Sequence, residues 1–314
     1  MSQAPRFGWA APCCGALLLA AVACDRKVDK PLSVASASPS VFKPAAPVAS
    51  GLPGANDRIS KLVNPENRPA YAGPTGSVRG LITATGDAAP IATAHVQRIK
   101  GACPEARESY GHLFREGMVR SLADVLVAVT GYDGYVPATE PKQVIAARGC
   151  AYSTRTVALT FGQTLEIVSK DREAYVPNLL GSQMKAQLLA LPGGVGSTVY
   201  PPEPGHYMLT DDMKLFMMAD VFVLKYSTHD VTNLDGKYEI AGIPVGKARI
   251  SALLPATGAV VEKEIEIKAG APLELGLEIP FDAKALEARR LAALAAASAA
   301  ASAAPPPAAS ATKP

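Results

Sequence analysis

Histidine and methionine residues cluster between positions 206 and 229, and this cluster is the part of the sequence best suited to chemistry. Imidazole and thioether groups both bind Cu(I), so His206, Met208, Met217 and Met218 are the candidate metal ligands. The alternative is that Met217 and Met218 flank a core strand, where flexible thioethers fill gaps in the packing. Neighbouring residues of a strand point to opposite faces, so a strand would also separate adjacent methionines. The two interpretations imply a copper site and no cofactor, respectively, and the sequence leaves both open.

No other pattern indicates catalysis. The glycine-rich run at 193–198 resembles a phosphate-binding loop, but it contains no lysine and no helical pattern follows it. The sequence has neither the His-Glu-x-x-His motif of zinc peptidases nor the Gly-x-Ser-x-Gly motif of serine hydrolases. Among the four histidines, His95 lies in an alternating segment and is interpreted as a surface or packing residue. We therefore expect a protein that is not an enzyme and has no catalytic residues.

The first 23 residues have the composition of a secretory signal peptide. Arg6 precedes an apolar run, and Ala21 and Ala23 are the small residues that precede a cleavage site. Cys24 follows immediately, where a bacterial lipoprotein is cleaved and acylated, and the run resembles a lipobox. An ordinary signal peptidase would also start the mature chain at Cys24. We predict that a lipid on Cys24 anchors the protein to a membrane of the bacterial envelope, facing the periplasm, and the sequence does not decide which membrane.

Two further cysteines remain in the mature chain, Cys103 and Cys150. The bacterial envelope is oxidising, and two remaining thiols in such a compartment usually pair. We therefore predict a disulfide between Cys103 and Cys150. Buried free thiols or metal ligands are the alternative.

Charge and composition restrict the partners and the number of domains. The 314 residues carry a formal net charge of +3, and no basic run alternates with aromatics, so we expect no nucleic-acid partner. Beyond the signal, no apolar segment is long enough to cross a bilayer. Residues 24–75 are rich in Pro, Ala and Ser and are interpreted as a tether, while 282–314 are interpreted as an Ala-rich helix with a disordered tail. About 200 residues remain between these ends, enough for one large or two small β domains.

Short alternating or apolar segments separated by turn residues fill this middle part. Their regular spacing is typical of an antiparallel β-sandwich, so we expect an all-β fold. Asp235 and Gly236 predict a turn ahead of an alternating strand, and residues 161–163 predict a hairpin between the segments on either side. The predicted strands are 77–84, 123–129, 156–160, 164–168, 221–224, 237–240, 246–252, 263–267 and 273–277.

Residues 104–121 place aromatic and apolar side chains where a loop is expected. They are Tyr110, His112, Leu113, Phe114 and Met118. If these side chains are exposed together, they form an apolar patch suited to a partner. Alternatively, they cap the open end of the sandwich. The sequence leaves both interpretations open.

The order of several motifs resembles bacterial plastocyanin-like envelope proteins of the cupredoxin family. In that group a glycine–cysteine pair precedes a strand, a Gly-Gln turn and a loop with an aspartate, as residues 148–171 do here, and Cys103 matches the partner cysteine. Residues 230–246 resemble the carboxypeptidase regulatory-like, or prealbumin-like, module that often follows. The resemblance implies a cupredoxin-like antiparallel sandwich at 76–226 and a small prealbumin-like sandwich at 227–281.

The copper ligands of the cupredoxin family are not matched. The family uses two histidines, one cysteine and a weak axial methionine. Tyr175 stands where the first histidine is expected, and no cysteine follows Cys150. Residues 214–219 supply neither the cysteine nor the histidine of the second ligand loop. The resemblance therefore implies a sandwich without the usual blue-copper centre.

Together these observations predict a non-enzymatic lipoprotein of the bacterial cell envelope that acts as a binding or scaffolding module. Its expected partners are the membrane, through the lipid anchor, and an unidentified envelope protein or carbohydrate bound through sheet edges and loops. The alternative is periplasmic copper binding or electron transfer through an unusual site built from His206, Met208, Met217 and Met218.

Overall fold

The structure is a computed structural model that describes residues 55–99, 101–182 and 188–303. Strands dominate these residues, and the prediction of an all-β fold is confirmed. The helices are α1 (Ala55–Val63), α2 (Thr93–Val96), α3 (Pro104–Tyr110) and α4 (Ala283–Ala303). The strands are β1 (Thr75–Gly86), β2 (Leu126–Thr130), β3 (Lys142–Arg148), β4 (Ala151–Tyr152), β5 (Thr156–Thr160), β6 (Thr164–Ser169), β7 (Pro177–Leu180), β8 (Ser197–Val199), β9 (Gly205–Asp211), β10 (Met218–Leu224), β11 (His229–Val231), β12 (Lys237–Pro244), β13 (Gly246–Leu254), β14 (Ala259–Ile267), β15 (Leu273–Glu274) and β16 (Leu277–Phe281).

Several predictions for the ends of the chain fall outside the described residues. These are the signal peptide, the lipidation of Cys24, most of the tether and the end of the C-terminal tail. The predicted Ala-rich helix is confirmed as α4. Within the described ranges no helix is both long and apolar enough to cross a membrane.

In the described residues the strands form four sheets around two apolar cores. The first sandwich consists of the sheets β4-β3-β6-β8 and β5-β10-β9-β7, and its core contains Leu159, Leu165 and Leu209. The second sandwich consists of the sheet β11-β2-β13-β14 and the sheet in which β1 pairs with β12, β15 and β16. Its core contains Val127 and Ile250. The alternating segments of the sequence thus bury one face of each sheet, as period-two patterning requires.

The observed strand pairing does not follow the expected domain boundary between residues 226 and 227. Both β1 and β2 were expected in the sandwich at 76–226, but β1 pairs with β12, β15 and β16, and β2 pairs with β11 and β13. Both strands therefore belong to the second sandwich. A module of about 55 residues is close to the lower limit for an independent core, and the two N-terminal strands enlarge it.

Parallel pairs occur beside the antiparallel ones, so the expected antiparallel pairing describes only part of each sandwich. In the first sandwich β3 pairs with β6 and β5 with β10 in parallel, and in the second β1 is parallel to β15 and β16. Parallel neighbours need a crossover connection rather than a hairpin. The chain therefore passes repeatedly from one sheet to the other.

The turn at 161–163 is such a crossover, and the predicted hairpin is wrong. Since β5 pairs with β10 while β6 pairs with β3 and β8, the two flanking strands lie in different sheets. Gly162 has a φ of +105°, and a Cβ there would lie 2.9 Å from the Ile59 side chain of α1. The predicted turn before β12 is confirmed, with Gly236 at a φ of +72°.

Residues 104–121 connect the two cores and cap them, and this decides between the two earlier interpretations. Tyr110 is 2% exposed in the first core, where its hydroxyl accepts a hydrogen bond from the Tyr152 N–H. Phe114 is also 2% exposed, but it lies in the second core, edge to face against Phe281. Of the apolar side chains in this stretch, Met118 is the most exposed, at 87%.

Asp124 provides the polar link between the sandwiches. Its carboxylate accepts two hydrogen bonds of 2.6 Å from the Arg115 guanidinium, one from the Thr154 hydroxyl and one from the Arg155 N–H. On the side of the second sandwich, the Asp124 N–H donates to the Thr232 carbonyl. The Asp124 and Arg115 side chains are 7% and 12% exposed. Asp124 therefore compensates a buried cation with its carboxylate, and its side chain and backbone together connect segments of both sandwiches.

We expect Asp124→Asn to lower the free energy of unfolding by about 3 kcal/mol or more, because it leaves the buried Arg115 cation without a counter-charge. Urea unfolding followed by circular dichroism measures the change. The matched control is Asp133→Asn, whose ion pair with Arg68 is exposed and should contribute less than about 1 kcal/mol. Equal effects of the two substitutions would contradict this role for Asp124.

Candidate functional site

The four candidate copper ligands do not converge on one point. Met217 is fully buried in the first core, whereas half of the His206 side chain is exposed. Met218 lies opposite Thr210 in the β9–β10 pair, four residues along β9 from His206. At about 3.4 Å per residue this separation is about 14 Å, too far for one ion to contact both side chains. The structure therefore separates Met217 and Met218 from His206.

Protein groups hold His206 on the outer face of its sheet. Its Nε2 lies 2.7 Å from Asp220 Oδ1, and its ring stacks on Phe222 with centroids 4.5 Å apart. Met208 lies on the same face, opposite Asp220. Within the described ranges, no cluster of three or more His, Cys, Asp or Glu residues is arranged to hold a metal.

The predicted disulfide between Cys103 and Cys150 is confirmed. It joins the residue before α3 to the turn between β3 and β4, and the two Cα atoms are 5.4 Å apart. Both cysteines are buried. The bridge therefore fixes the start of the 104–121 insertion to the first sandwich.

Tyr175, at the position where the family resemblance places a histidine ligand, has a structural role. Its side chain is fully buried, and its hydroxyl donates to Asp171 Oδ2 at 2.7 Å while it accepts from the Cys150 N–H. Burial raises the pKa of Tyr175, and the contact with Asp171 adds to that shift. Burial acts against ionisation of Asp171, but hydrogen bonds from Tyr175 and from the Glu173 and Gly149 N–H groups lower its pKa. The pair thus secures the disulfide-bonded turn.

A cleft of about 540 Å³ lies between the two sandwiches. On one side it is lined by β3, β5 and the segment joining β4 to β5. On the other it is lined by β11, the turn at 233–236 and Arg115. Its volume is within the range of small-ligand sites. The sequence-based candidates did not include this cleft.

The parallel pairing of β5 with β10 determines which backbone groups of β5 face the cleft. In a parallel pair, only every second residue hydrogen-bonds to the neighbouring strand. The Arg155 carbonyl accepts from the Asp220 N–H and the Phe161 N–H donates to the Leu224 carbonyl, so the odd-numbered residues of β5 bond to β10. The even-numbered residues present their backbone groups to the cleft. They are Thr156, Ala158 and Thr160.

Side chains cap both ends of this edge. The Thr154 hydroxyl accepts from the Thr156 N–H at 3.3 Å, and Gln163 Oε1 accepts from the Thr160 N–H at 2.6 Å. In the part of the chain that the structure describes, the N–H and C=O of Ala158 have no partner. A single residue of β5 therefore remains open to a ligand.

The edge of β3 is open over a longer stretch. The Pro141 carbonyl bonds to β6, so the alternate residues Lys142 and Val144 present their N–H and C=O groups away from that strand. At Ala146 this outward side is occupied, because Ser153 contacts both its N–H and its C=O. Among the described residues, no partner contacts the outward backbone groups of Lys142 and Val144. The Val144 side chain is 54% exposed.

His229 and Asp230 form the opposite wall and are both held by neighbouring groups. Burial lowers the pKa of His229 to about 4, so its ring is neutral at physiological pH, with Nε2 3.2 Å from the Thr160 hydroxyl. Burial raises the pKa of Asp230, whose oxygens accept from the Val231 and Glu239 N–H groups. The cleft therefore presents backbone groups, hydroxyls and a weakly acidic rim.

Sequence reasoning missed the cleft because side-chain motifs do not report it. Its open groups are backbone atoms, and strands of three different sheets, β3, β5 and β11, bring them together. Only one local signal could have indicated it. Ser153 and Thr154 interrupt the apolar pattern between β4 and β5, as expected where a strand leaves its sheet.

Acid should destabilise the protein through His229. Because its pKa falls from about 6.5 in the unfolded chain to about 4 in the folded one, its contribution is complete above pH 6.5 and is lost as pH falls towards 4. Between pH 7 and 4.5 the wild type should lose about 2 to 3 kcal/mol more stability than His229→Gln. Urea unfolding at the two pH values measures this difference, and identical pH dependence in both proteins would contradict it.

Searches against protein-family models and against curated proteins find no match to the chain. Among solved structures, amicyanin from Paracoccus versutus is similar with 18% identity and a TM-score of 0.24, over 31% of this chain and 97% of that one. A copper-containing nitrite reductase from Thermus scotoductus is similar with 14% identity and a TM-score of 0.23, over 30% of this chain and 25% of that one. Cupredoxins are thus weak structural neighbours over a small part of the chain, and this likeness assigns no role to any residue.

Proposed function

We propose that the protein is a non-enzymatic binding module of the bacterial cell envelope that holds its partner in the cleft between the two sandwiches. The observation that carries this proposal is that two open strand edges, at Val144 and at Ala158, face one cleft. Buried or half-buried backbone groups without partners are costly unless water or a ligand satisfies them. A partner with its own donors and acceptors would satisfy them.

The cleft is preformed by rigid connections on both sides. The carboxylate of Asp124 fixes Arg115 and the segment between β4 and β5, and the Cys103–Cys150 disulfide fixes the start of the insertion. Preorganisation of this kind reduces the entropy lost on binding. A scaffold that holds its site open is consistent with a binding role.

The membrane attachment in this proposal rests on the N-terminal sequence. A lipid on Cys24 would hold the chain to the membrane with the cleft facing the periplasm. At the other end of the tether, α1 packs Ile59, Leu62 and Val63 against the first core, so the folded part begins at a fixed point on that sandwich. The tether would then set the distance between membrane and cleft.

Copper binding, the alternative, has weaker support from the geometry. Met217 lies in the core, and Nε2 of His206 is engaged by Asp220. Stoichiometric copper retained by the wild type after dialysis, and lost in His206→Ala, would overturn the preference for a binding module without a cofactor.

The anchor can be tested by fractionating cells that express the wild type or Cys24→Ser with an alkyne-labelled fatty acid. We expect label and membrane association only in the wild type. Equal membrane association of both proteins would contradict lipid anchoring.

Site-specific photo-crosslinking in the native host tests the cleft. A photoreactive amino acid replaces Leu234 at the cleft or, as a control, Leu291 on α4, since both side chains are about half exposed. We expect a discrete product from position 234 that is absent at 291. Proteinase treatment then distinguishes a protein partner from a carbohydrate, and equal products at both positions would contradict binding in the cleft.

A further inference from the structure

Other sheet edges carry features that discourage pairing with another chain. At the edge of the second sandwich, β14 carries Glu262, Lys263, Glu264 and Glu266. In the first sandwich the edge strand β7 begins with Pro177, which lacks an N–H. Charges and proline are the usual means by which proteins protect edges. The β14 and β7 edges are the references for the protection of the β3 edge.

The edge of β3 is less protected. Its open stretch, Lys142–Val144, carries one charge, on Lys142, which is paired with Glu166. Val144 is a β-branched apolar residue with an exposed side chain. The outward N–H and C=O groups of these two residues recur every second position, about 7 Å apart, which is the repeat of an antiparallel or parallel partner strand. Up to four main-chain hydrogen bonds are available there.

The edge is open because the Asp124 carboxylate holds the following segment away from it. β4 pairs with β3 only as far as Ala147 and Tyr152. Beyond that point the Thr154 hydroxyl lies 2.8 Å and the Arg155 N–H 2.7 Å from Asp124 Oδ1, so the chain crosses to the other sheet. The chain therefore does not continue as a paired strand alongside Val144.

We propose that the occupant of the cleft is an extended polypeptide segment that adds as a strand to β3, an inference that rests on the cleft being the binding site. Strand addition uses main-chain hydrogen bonds for affinity and alternate side chains for specificity. Val144 and Leu234, both about half exposed, offer apolar contacts to those side chains.

Charge and composition of the cleft favour this occupant. Arg115 is neutralised by Asp124, and the exposed Asp235 lies 4.0 Å from the Lys237 amine. Asp230 also lines the cleft and has no basic partner among the described residues, so the cleft suits an uncharged or basic segment. The described residues that line the cleft include no Phe, Tyr or Trp, the flat faces on which sugar rings stack. A peptide is therefore a better match than a carbohydrate.

The test uses the full-length Cys24→Ser chain and the peptide acetyl-Val-Thr-Lys-Val-Thr-Val-amide, measured by isothermal titration calorimetry. Two further versions of the peptide carry N-methyl groups on alternate amides, one in each register. Because only one set of amides faces β3, one version should lose at least about tenfold in affinity and the other less than about threefold. Equal losses in the two registers overturn strand addition.

A pair of protein variants provides the complementary control. Val144→Pro removes the outward N–H and should weaken the parent peptide by at least about tenfold, whereas Val144→Thr keeps the N–H and β-branching and should stay within about threefold. The methylated peptides keep the test valid if the proline variant does not fold. Crosslinking from position 234 without any binding of the peptide would overturn the strand inference alone, and so would a dimer of this chain that buries β3.

Discussion

The carboxylate of Asp124 lies where the two sandwiches meet, and it accepts from four donors on three residues in two segments of the chain. Two belong to the Arg115 guanidinium, and the others come from Thr154 and Arg155. A buried pair of this kind adds little net stability compared with a well-packed apolar alternative, because both ions lose their hydration. Its larger consequence here is geometric. By fixing the segment after β4, it determines where the chain changes sheets, and so it opens the edge of β3.

The backbone conformation of Asp124 depends on the same set of hydrogen bonds. Asp124 has a φ of +65°, a left-handed conformation that aspartate adopts more readily than most residues because its short side chain can hydrogen-bond locally. Its carbonyl accepts from the Thr156 hydroxyl at 2.7 Å, and its N–H donates to Thr232. Side chain and backbone therefore connect the first sandwich to the second through one residue.

The sequence predicted local features well and long-range pairing poorly. Alternation identified most strands, the Asp235–Gly236 turn and the all-β class, since these depend on neighbouring residues. Compartment and cysteine count predicted the disulfide. Which strands pair depends on burial across the whole fold. For that reason the sequence placed β1 and β2 in the wrong sandwich and predicted a hairpin at 161–163.

For the candidate sites, too, local features could be predicted and long-range contacts could not. Strand alternation already suggested that Met217 and Met218 would point apart, and Met217 is in the core. Tyr175 fills the position of an expected ligand with a hydrogen bond to Asp171. The cleft escaped prediction because its reactive groups are backbone N–H and C=O groups, which every residue but proline carries. Only the tertiary arrangement shows which of them lack partners.

Native-state hydrogen exchange in increasing urea tests most directly whether Asp124 makes one cooperative body of the two sandwiches. The amide of Leu159 reports on the first core and that of Ile250 on the second. If the link at Asp124 couples the cores, the two amides should converge on one opening free energy and one urea dependence in the wild type, and diverge in Asp124→Asn. Separate opening free energies for Leu159 and Ile250 in the wild type would contradict the account.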